Sequence, residues 1–189
     1  MKLTENELWL LSFYRVSEIT GAEFFARLAK NIKPSFIQHD LTKHFADESQ
    51  HAWYWTKAIH DLEAEPIRID IAYQDRYLEA AGLPVNVMEI LAITQIFEKR
   101  VIGQYSLHLQ TPQLNPVIKN TLAQIMEDEK WHIQWVGEAL TKLEPKFGKD
   151  HIDATLKRYR EADQEVYKKV LEEHNDKIHD ILKRKIVYE

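Results

Sequence analysis

Asp128-Glu129-Lys130-Trp131-His132 is the stretch that decides the interpretation of this chain, and Asp47-Glu48-Ser49-Gln50-His51 repeats its pattern. On a helix, residues at positions i and i+3 project from the same face. Each Glu-x-x-His therefore places a carboxylate and an imidazole where both can bind one metal ion. One such motif is expected about once by chance, whereas two, each preceded by Asp, are expected on the order of once in a thousand such chains. The repeat therefore indicates a metal site.

Two further glutamates extend the repeated motif. Two metal ions need about two more ligands than the motifs supply. Glu18 precedes Glu48 by 30 residues, and Glu98 precedes Glu129 by 31 residues. All four glutamates lie on apolar helical stripes, and burying four carboxylates together is unfavourable unless cations neutralise them. The alternative interpretation is that these glutamates are surface charges on irregular stripes.

A single Glu from each of two helices, with Glu-x-x-His from each of two others, is the pattern of di-iron carboxylate bundles. On these motifs, roughly residues 4–143 resemble the ferritin-like di-iron carboxylate superfamily, which includes ferritins, rubrerythrins and di-iron oxygenases. The resemblance implies two iron ions, with manganese or a mixed manganese–iron pair as alternatives. The implied ligands form one group of three for each ion: Glu18, Glu48 and His51, and Glu98, Glu129 and His132.

Two aspartates are expected to support the histidine ligands. In oxygenase-like members of the superfamily, the Asp before Glu-x-x-His supports the histidine of the other motif. By this resemblance, Asp47 supports His132 and Asp128 supports His51, each accepting the ring N–H that faces away from the metal. The alternative is that both aspartates are solvated. His44, one turn before Glu48, is expected beside the ligands or at the surface rather than among them.

The pattern of the whole chain predicts an all-α protein, because glycine is scarce and prolines fall at intervals of helix length. We expect one domain over residues 1–189, with a ferritin-like four-helix bundle over 4–143. One long crossover, residues 64–85, joins its second and third helices and includes a short helix near 73–80. Pro145 and Gly148 are expected to end the fourth helix. A long C-terminal helix over 150–182 is expected to pack on the bundle or on a second subunit of a homodimer.

Composition excludes several classes of protein. The chain has 189 residues, no cysteine and a formal net charge of −5. The lack of cysteine excludes a disulfide framework, a Cys-ligated zinc site and an iron–sulfur or rubredoxin-type module. The chain has no large block of basic residues, so nucleic acid is not the expected partner. Because no apolar run approaches ~18 residues and the N-terminus is polar, we expect a cytoplasmic protein with no membrane span or signal peptide.

These features predict a di-iron oxidoreductase that activates dioxygen or peroxide. It would oxidise an unidentified small organic substrate and would need an external electron donor, because the chain has no redox module of its own. Gly21 and Ala22, near Glu18, leave room for a substrate pocket or for close helix packing. Tyr105 is interpreted as core rather than as a redox side chain. Two alternatives stay open: iron oxidation or peroxide defence, as in ferritins and rubrerythrins, and a non-catalytic structural bundle.

Overall fold

A computed structural model of the chain describes residues 2–178, which form seven α-helices and no β-strand. The helices are α1 (Glu5–Ala29), α2 (Ser35–Asp61), α3 (Tyr73–Ala81), α4 (Val87–Leu109), α5 (Pro116–Phe147), α6 (Lys149–Glu173) and α7 (Asn175–Ile178). The predicted all-α class is therefore confirmed. Among these helices, none is long and apolar enough to cross a lipid bilayer.

Side-chain caps begin three of the long helices. At α1, Glu7 N–H donates to Thr4 Oγ1 at 3.2 Å while Thr4 N–H donates to Glu7 Oε2 at 2.7 Å, which forms a capping box. Asn86 Oδ1 accepts from Glu89 N–H at 3.0 Å at the start of α4, and Asn115 caps α5 in the same way. Each cap satisfies an N–H group that the first helical turn leaves unpaired, so these starts are encoded locally.

The long helices pack as two pairs around one apolar core. Residues 30–34 join α1 to α2, residues 110–115 join α4 to α5, and the two helices of each pair pack along each other. Contacts between α2 and α5 hold the pairs together. Residues 62–86 connect α2 to α4 and contain α3, which packs on α1 and α6. The predicted long connection with a short helix inside it is therefore present.

Helix α5 ends later than predicted, because it continues through Pro145 to Phe147. A proline in the last turn removes one backbone hydrogen bond without interrupting a long following helix, so its effect there is small. Gly148, with φ of 82°, then ends the helix, since this left-handed conformation favours glycine. The predicted stop at Pro145 was wrong by about one half-turn, while the stop at Gly148 is confirmed.

The predicted C-terminal helix is interrupted. α6 ends at Glu173, and the chain bends at His174 before the short α7. The His174 ring packs against Trp9 with ring centroids 4.5 Å apart, and Asn6 Nδ2 donates to the Asp176 carbonyl at 3.0 Å. These contacts direct the chain back onto α1, which explains the bend. The part of the predicted helix between 179 and 182 lies outside the described residues.

Helix α6 packs on α3, α4 and α5 of its own chain. A buried ion pair joins α6 to α4: Arg100 Nε lies 3.2 Å from Asp163 Oδ1. The Tyr73 hydroxyl donates to the same oxygen at 2.7 Å, and the guanidinium lies 3.7 Å from the centre of the Tyr73 ring. This cluster of Arg100, Asp163 and Tyr73 therefore ties the crossover helix α3 and helix α6 to the bundle.

Candidate metal centre

The six predicted ligands converge on one region inside the bundle, and none is more than 4 % exposed. They project from α1, α2, α4 and α5, at positions where the helical repeat faces the core. They are Glu18, Glu48, His51, Glu98, Glu129 and His132. Backbone periodicity explains why each side chain faces inward, and the packing of the four helices brings them to the same level.

The potential ligand atoms form two groups, and within each group the atoms lie within 4.8 Å of one another. One group contains Glu18, Glu48, His51 and Glu129, and the other contains His44, Glu48, Glu98 and His132. Glu48 therefore belongs to both groups. Glu129 also reaches both, because Oε1 lies 3.4 Å from His51 Nδ1 and Oε2 lies 3.2 Å from His132 Nδ1. The sequence did not reveal which carboxylates could bridge two ions, and this geometry points to Glu48 and Glu129.

The two aspartates lie against the histidines of the opposite motif. His51 Nε2 lies 3.2 Å from Asp128 Oδ2, and His132 Nε2 lies 3.3 Å from Asp47 Oδ2. These are the crossed contacts that the resemblance implied. Each contact leaves Nδ1 of the same ring facing the glutamates, which is the orientation that a metal-binding histidine needs. Although burial raises the pKa of Asp47, hydrogen bonds from His132 and Lys43 lower it overall.

His44 is fully buried beside the ligands, so its alternative placement at the surface is wrong. Its Nε2 lies 3.2 Å from Glu98 Oε1, and its ring stacks on His132 with centroids 3.6 Å apart. Trp135 Nε1 donates to His44 Nδ1 at 3.2 Å. Because burial and then His132 lower the pKa of His44 to about 4, the ring is neutral and its proton lies on Nε2. Nε2 therefore faces Glu98, and His44 belongs to one of the two groups of side-chain atoms that lie close enough together to hold a metal ion.

Tyr105 has a role that the sequence analysis missed. Its hydroxyl donates to Glu18 Oε1 and accepts from Trp55 Nε1 at 3.2 Å. Burial raises its pKa well above the usual value, so the hydroxyl keeps its proton and can orient Glu18. Only the spacing of Tyr105 two turns after Glu98 could have suggested this contact, and many core aromatics share such spacing.

Electrostatics inside the site favour positive charge. Burial raises the pKa of both Glu48 and Glu98, and neighbouring carboxylates raise each further. Burial would lower the pKa of His132, yet Glu129 and Asp47 raise it to about 9, and carboxylates likewise raise that of His51. Protons therefore balance the buried carboxylates in the absence of metal. Divalent ions would replace those protons, because a ligating imidazole must be neutral.

The donor atoms fit a pair of metal ions. His51 Nδ1 and Glu129 Oε1 are buried, face each other at 3.4 Å and have no hydrogen-bond partner. Buried polar atoms without a partner are rare in proteins, and a bound cation, replacing any proton on Nδ1, would satisfy both. Four carboxylates with two imidazoles suit iron or manganese rather than metals that prefer thiolates. Comparison of the chain with protein-family models, curated proteins and solved structures gave no match.

Gly21 makes room for Glu48 to enter the site. A Cβ atom added to Gly21 would lie 2.3 Å from Glu48 Oε2, a distance that real Cβ atoms do not tolerate. The obstructed atom is the end of a flexible side chain, so a larger residue would displace the carboxylate rather than unfold the helix pair. The small residue near Glu18 therefore serves close packing, and it also lines the cavity described below.

Gly21→Ala is expected to fold normally but to bind iron at least about tenfold more weakly, because the Glu48 carboxylate must move. The matched control is Gly137→Ala, whose added Cβ would meet Gln95 Oε1 at an ordinary 3.8 Å. Gly137→Ala should stabilise the metal-free protein by about 0.5–1 kcal/mol, whereas in Gly21→Ala the displacement of the buried Glu48 carboxylate offsets that gain. Competition with a chelator measures the affinity, and equal affinities in the two variants would contradict this role of Gly21.

Proposed function

We propose that this protein is a ferritin-like di-iron oxidoreductase that reduces dioxygen or peroxide and oxidises a small organic substrate. The observation that carries the proposal is the pair of ligand groups that share Glu48. When bound, two reduced iron ions would together supply electrons to dioxygen or peroxide, since dinuclear sites hold metals about 3.5–4 Å apart. The ferritin-like assignment is supported by the helix order, with a long connection between two helix pairs.

Different residues of the chain would bind each of the two metal ions. Glu18 and His51 would bind one ion, Glu98 and His132 would bind the other, and the glutamates that reach both groups would bridge them. Asp47 and Asp128 would keep the histidine rings oriented, since an acceptor on the far ring nitrogen sets the tautomer. Buried apolar helices around the site exclude water, which strengthens these interactions.

An apolar cavity beside Glu48 and Glu98 favours substrate oxidation over iron storage. A storage site needs a path for ions, which polar side chains would line, whereas this cavity has carbon-rich walls. Electrons for repeated turnover would come from an external donor, because the chain has no cysteine to hold an iron–sulfur or rubredoxin-type centre. Manganese, alone or paired with iron, would suit the same ligands.

Oxygen uptake by anaerobically iron-loaded protein tests the proposal. Roughly one dioxygen is expected per two ferrous ions bound, faster than for free iron, and repeated uptake is expected only when a reductant is supplied. Glu98→Ala should abolish the rapid phase, while Glu23→Ala, which changes a glutamate that is 64 % exposed on α1, should not. Continued uptake of many iron ions per chain would instead favour ferritin-like storage. Faster reaction with hydrogen peroxide than with dioxygen would favour peroxide defence.

A further inference from the structure

A cavity of about 60 Å³ lies between α1, α3 and α4 and ends beside Glu48 and Glu98. Its volume exceeds the roughly 10–15 Å³ that one water molecule requires. Phe24, Leu78 and Phe97 line its outer part and are partly exposed, so solvent lies directly beyond these three side chains. The cavity therefore occupies the space between the protein surface and two of the candidate metal ligands.

The polar residues that line this cavity direct their hydrogen-bonding groups elsewhere. Gln74 Nε2 donates to the Ser17 carbonyl at 2.7 Å, and the Tyr77 hydroxyl donates to the Tyr159 carbonyl at 3.1 Å. Thr20 Oγ1 donates at 2.9 Å to the backbone carbonyl four residues earlier on α1. The surface that the cavity presents to an occupant therefore consists almost wholly of apolar atoms.

Apolar walls distinguish between the two oxidants of the proposed function. Hydrogen peroxide would leave two O–H donors unpaired in this cavity, and an unpaired buried donor is unfavourable. Dioxygen has no O–H group, so it leaves water without losing such bonds. Apolar cavities in proteins are known to stay dry and to bind xenon, an apolar atom of comparable diameter. The walls of this cavity therefore favour dioxygen over hydrogen peroxide and over water.

The opposite side of the candidate metal centre is polar. The Asp128 side chain, which contacts His51 between α2 and α5, is 38 % exposed, and Asp47 contacts His132 on the same side. Hydrogen peroxide would keep its hydrogen bonds to water and to these carboxylates there. An apolar oxidant and a polar one would therefore approach the centre from different sides.

We infer that the cavity binds dioxygen in preference to hydrogen peroxide and holds it beside Glu48 and Glu98. This inference rests on the proposed function, because it specifies which oxidant reaches the candidate metal centre through α1, α3 and α4. Binding of a small apolar molecule depends only on the cavity and needs no metal. Leu78 covers the cavity from α3, so access should depend on the size of this side chain.

Crystals of the metal-free protein under xenon pressure test the cavity without any reaction. Xenon is expected between α1, α3 and α4 in the wild type and should be lost in Leu78→Trp, because the larger side chain fills the space. The matched control is Leu171→Trp, which changes a partly exposed leucine on α6 that does not line the cavity. This control should keep xenon. A wild-type cavity that stays free of xenon, or that contains ordered water, would overturn the inference.

Stopped-flow mixing of anaerobically iron-loaded protein with dioxygen or with hydrogen peroxide tests the preference. Leu78→Trp should slow the reaction with dioxygen at least about tenfold, because dioxygen must displace an overpacked side chain. Its reaction with hydrogen peroxide should not change, and Leu171→Trp should change neither rate. Equal slowing of both reactions would show that the cavity does not discriminate. An unchanged dioxygen rate together with loss of xenon would show that dioxygen enters elsewhere, and either result would overturn the inference.

Ile93→Phe fills the cavity from α4 and covers the case in which the indole of Leu78→Trp turns towards solvent. Ile93 lines the cavity and is only 4 % exposed, so an added ring has no outward path. Loss of xenon and slower reaction with dioxygen are expected here too. Circular dichroism like that of the wild type shows that each variant folds, and the xenon experiment on the wild type needs no variant.

The two experiments together separate failure of this inference from failure of the proposed function. If xenon occupies the cavity but iron-loaded protein consumes neither oxidant, the cavity assignment stands and the proposed function fails. If the wild type and both cavity-filling variants consume dioxygen equally rapidly, the proposed function stands and this inference fails.

Discussion

Glu48→Ala is expected to lose both metal ions, whereas Glu18→Ala is expected to keep roughly one of two, because Glu48 belongs to both ligand groups and Glu18 to one. Elemental analysis of protein expressed with iron available measures this difference directly. Iron at about 100 times its dissociation constant should stabilise the wild type by about 2.7 kcal/mol, and this gain should vanish in Glu48→Ala. Equal metal contents in the two variants would contradict the sharing of Glu48.

Glu48→Ala should have the opposite effect on the stability of the metal-free protein, which provides an internal control. Because burial and the Glu18 carboxylate raise the pKa of Glu48, removing this carboxyl should stabilise the metal-free fold or leave it unchanged at neutral pH.

His132 has a folded-state pKa of about 9 against about 6.5 when unfolded. The contribution of His132 to the free energy of unfolding is therefore complete below pH 6.5 and disappears as the pH rises through 9. Urea unfolding of metal-free wild type at these pH values measures the loss.

Arg100→Met is expected to destabilise the protein by about 3–5 kcal/mol, because it removes the guanidinium from the buried Asp163 carboxylate. Arg100 is 2 % exposed and Asp163 is fully buried, so water cannot solvate the Asp163 carboxylate once the guanidinium is gone. The matched control is Arg76→Met, which breaks the more exposed pair between α3 and Glu173 on α6. That change should cost about 0–1 kcal/mol. Urea unfolding midpoints measure both effects.

The double variant Arg100→Met, Asp163→Leu tests whether unpaired charge is the cause. Removing both partners should recover much of the lost stability, since an apolar pair of similar volume avoids an isolated buried charge. The Tyr73 hydroxyl would lose its contact with Asp163 Oδ1, so recovery should be incomplete. A double variant as unstable as Arg100→Met would indicate that packing of the guanidinium on Tyr73 dominates instead.

Much of the helical architecture could be predicted from local signals. The capping residues Thr4, Asn86 and Asn115 begin helices, and each cap bonds to backbone groups within its own first turn. The bend at His174 could not be predicted, because it depends on Trp9, which is distant in sequence. Pro145 was given too much weight, because a proline removes only its own backbone N–H donor and α5 continues past it to Phe147.

The sequence by itself determined which residues face the interior together, because the i, i+3 spacing of Glu-x-x-His is a property of a single helix. Whether Glu48 reaches one ligand group or two depends on how helices are rotated and offset against each other, and side-chain packing throughout the core sets those quantities. The same holds for His44 and Tyr105, which acquire their partners from other helices.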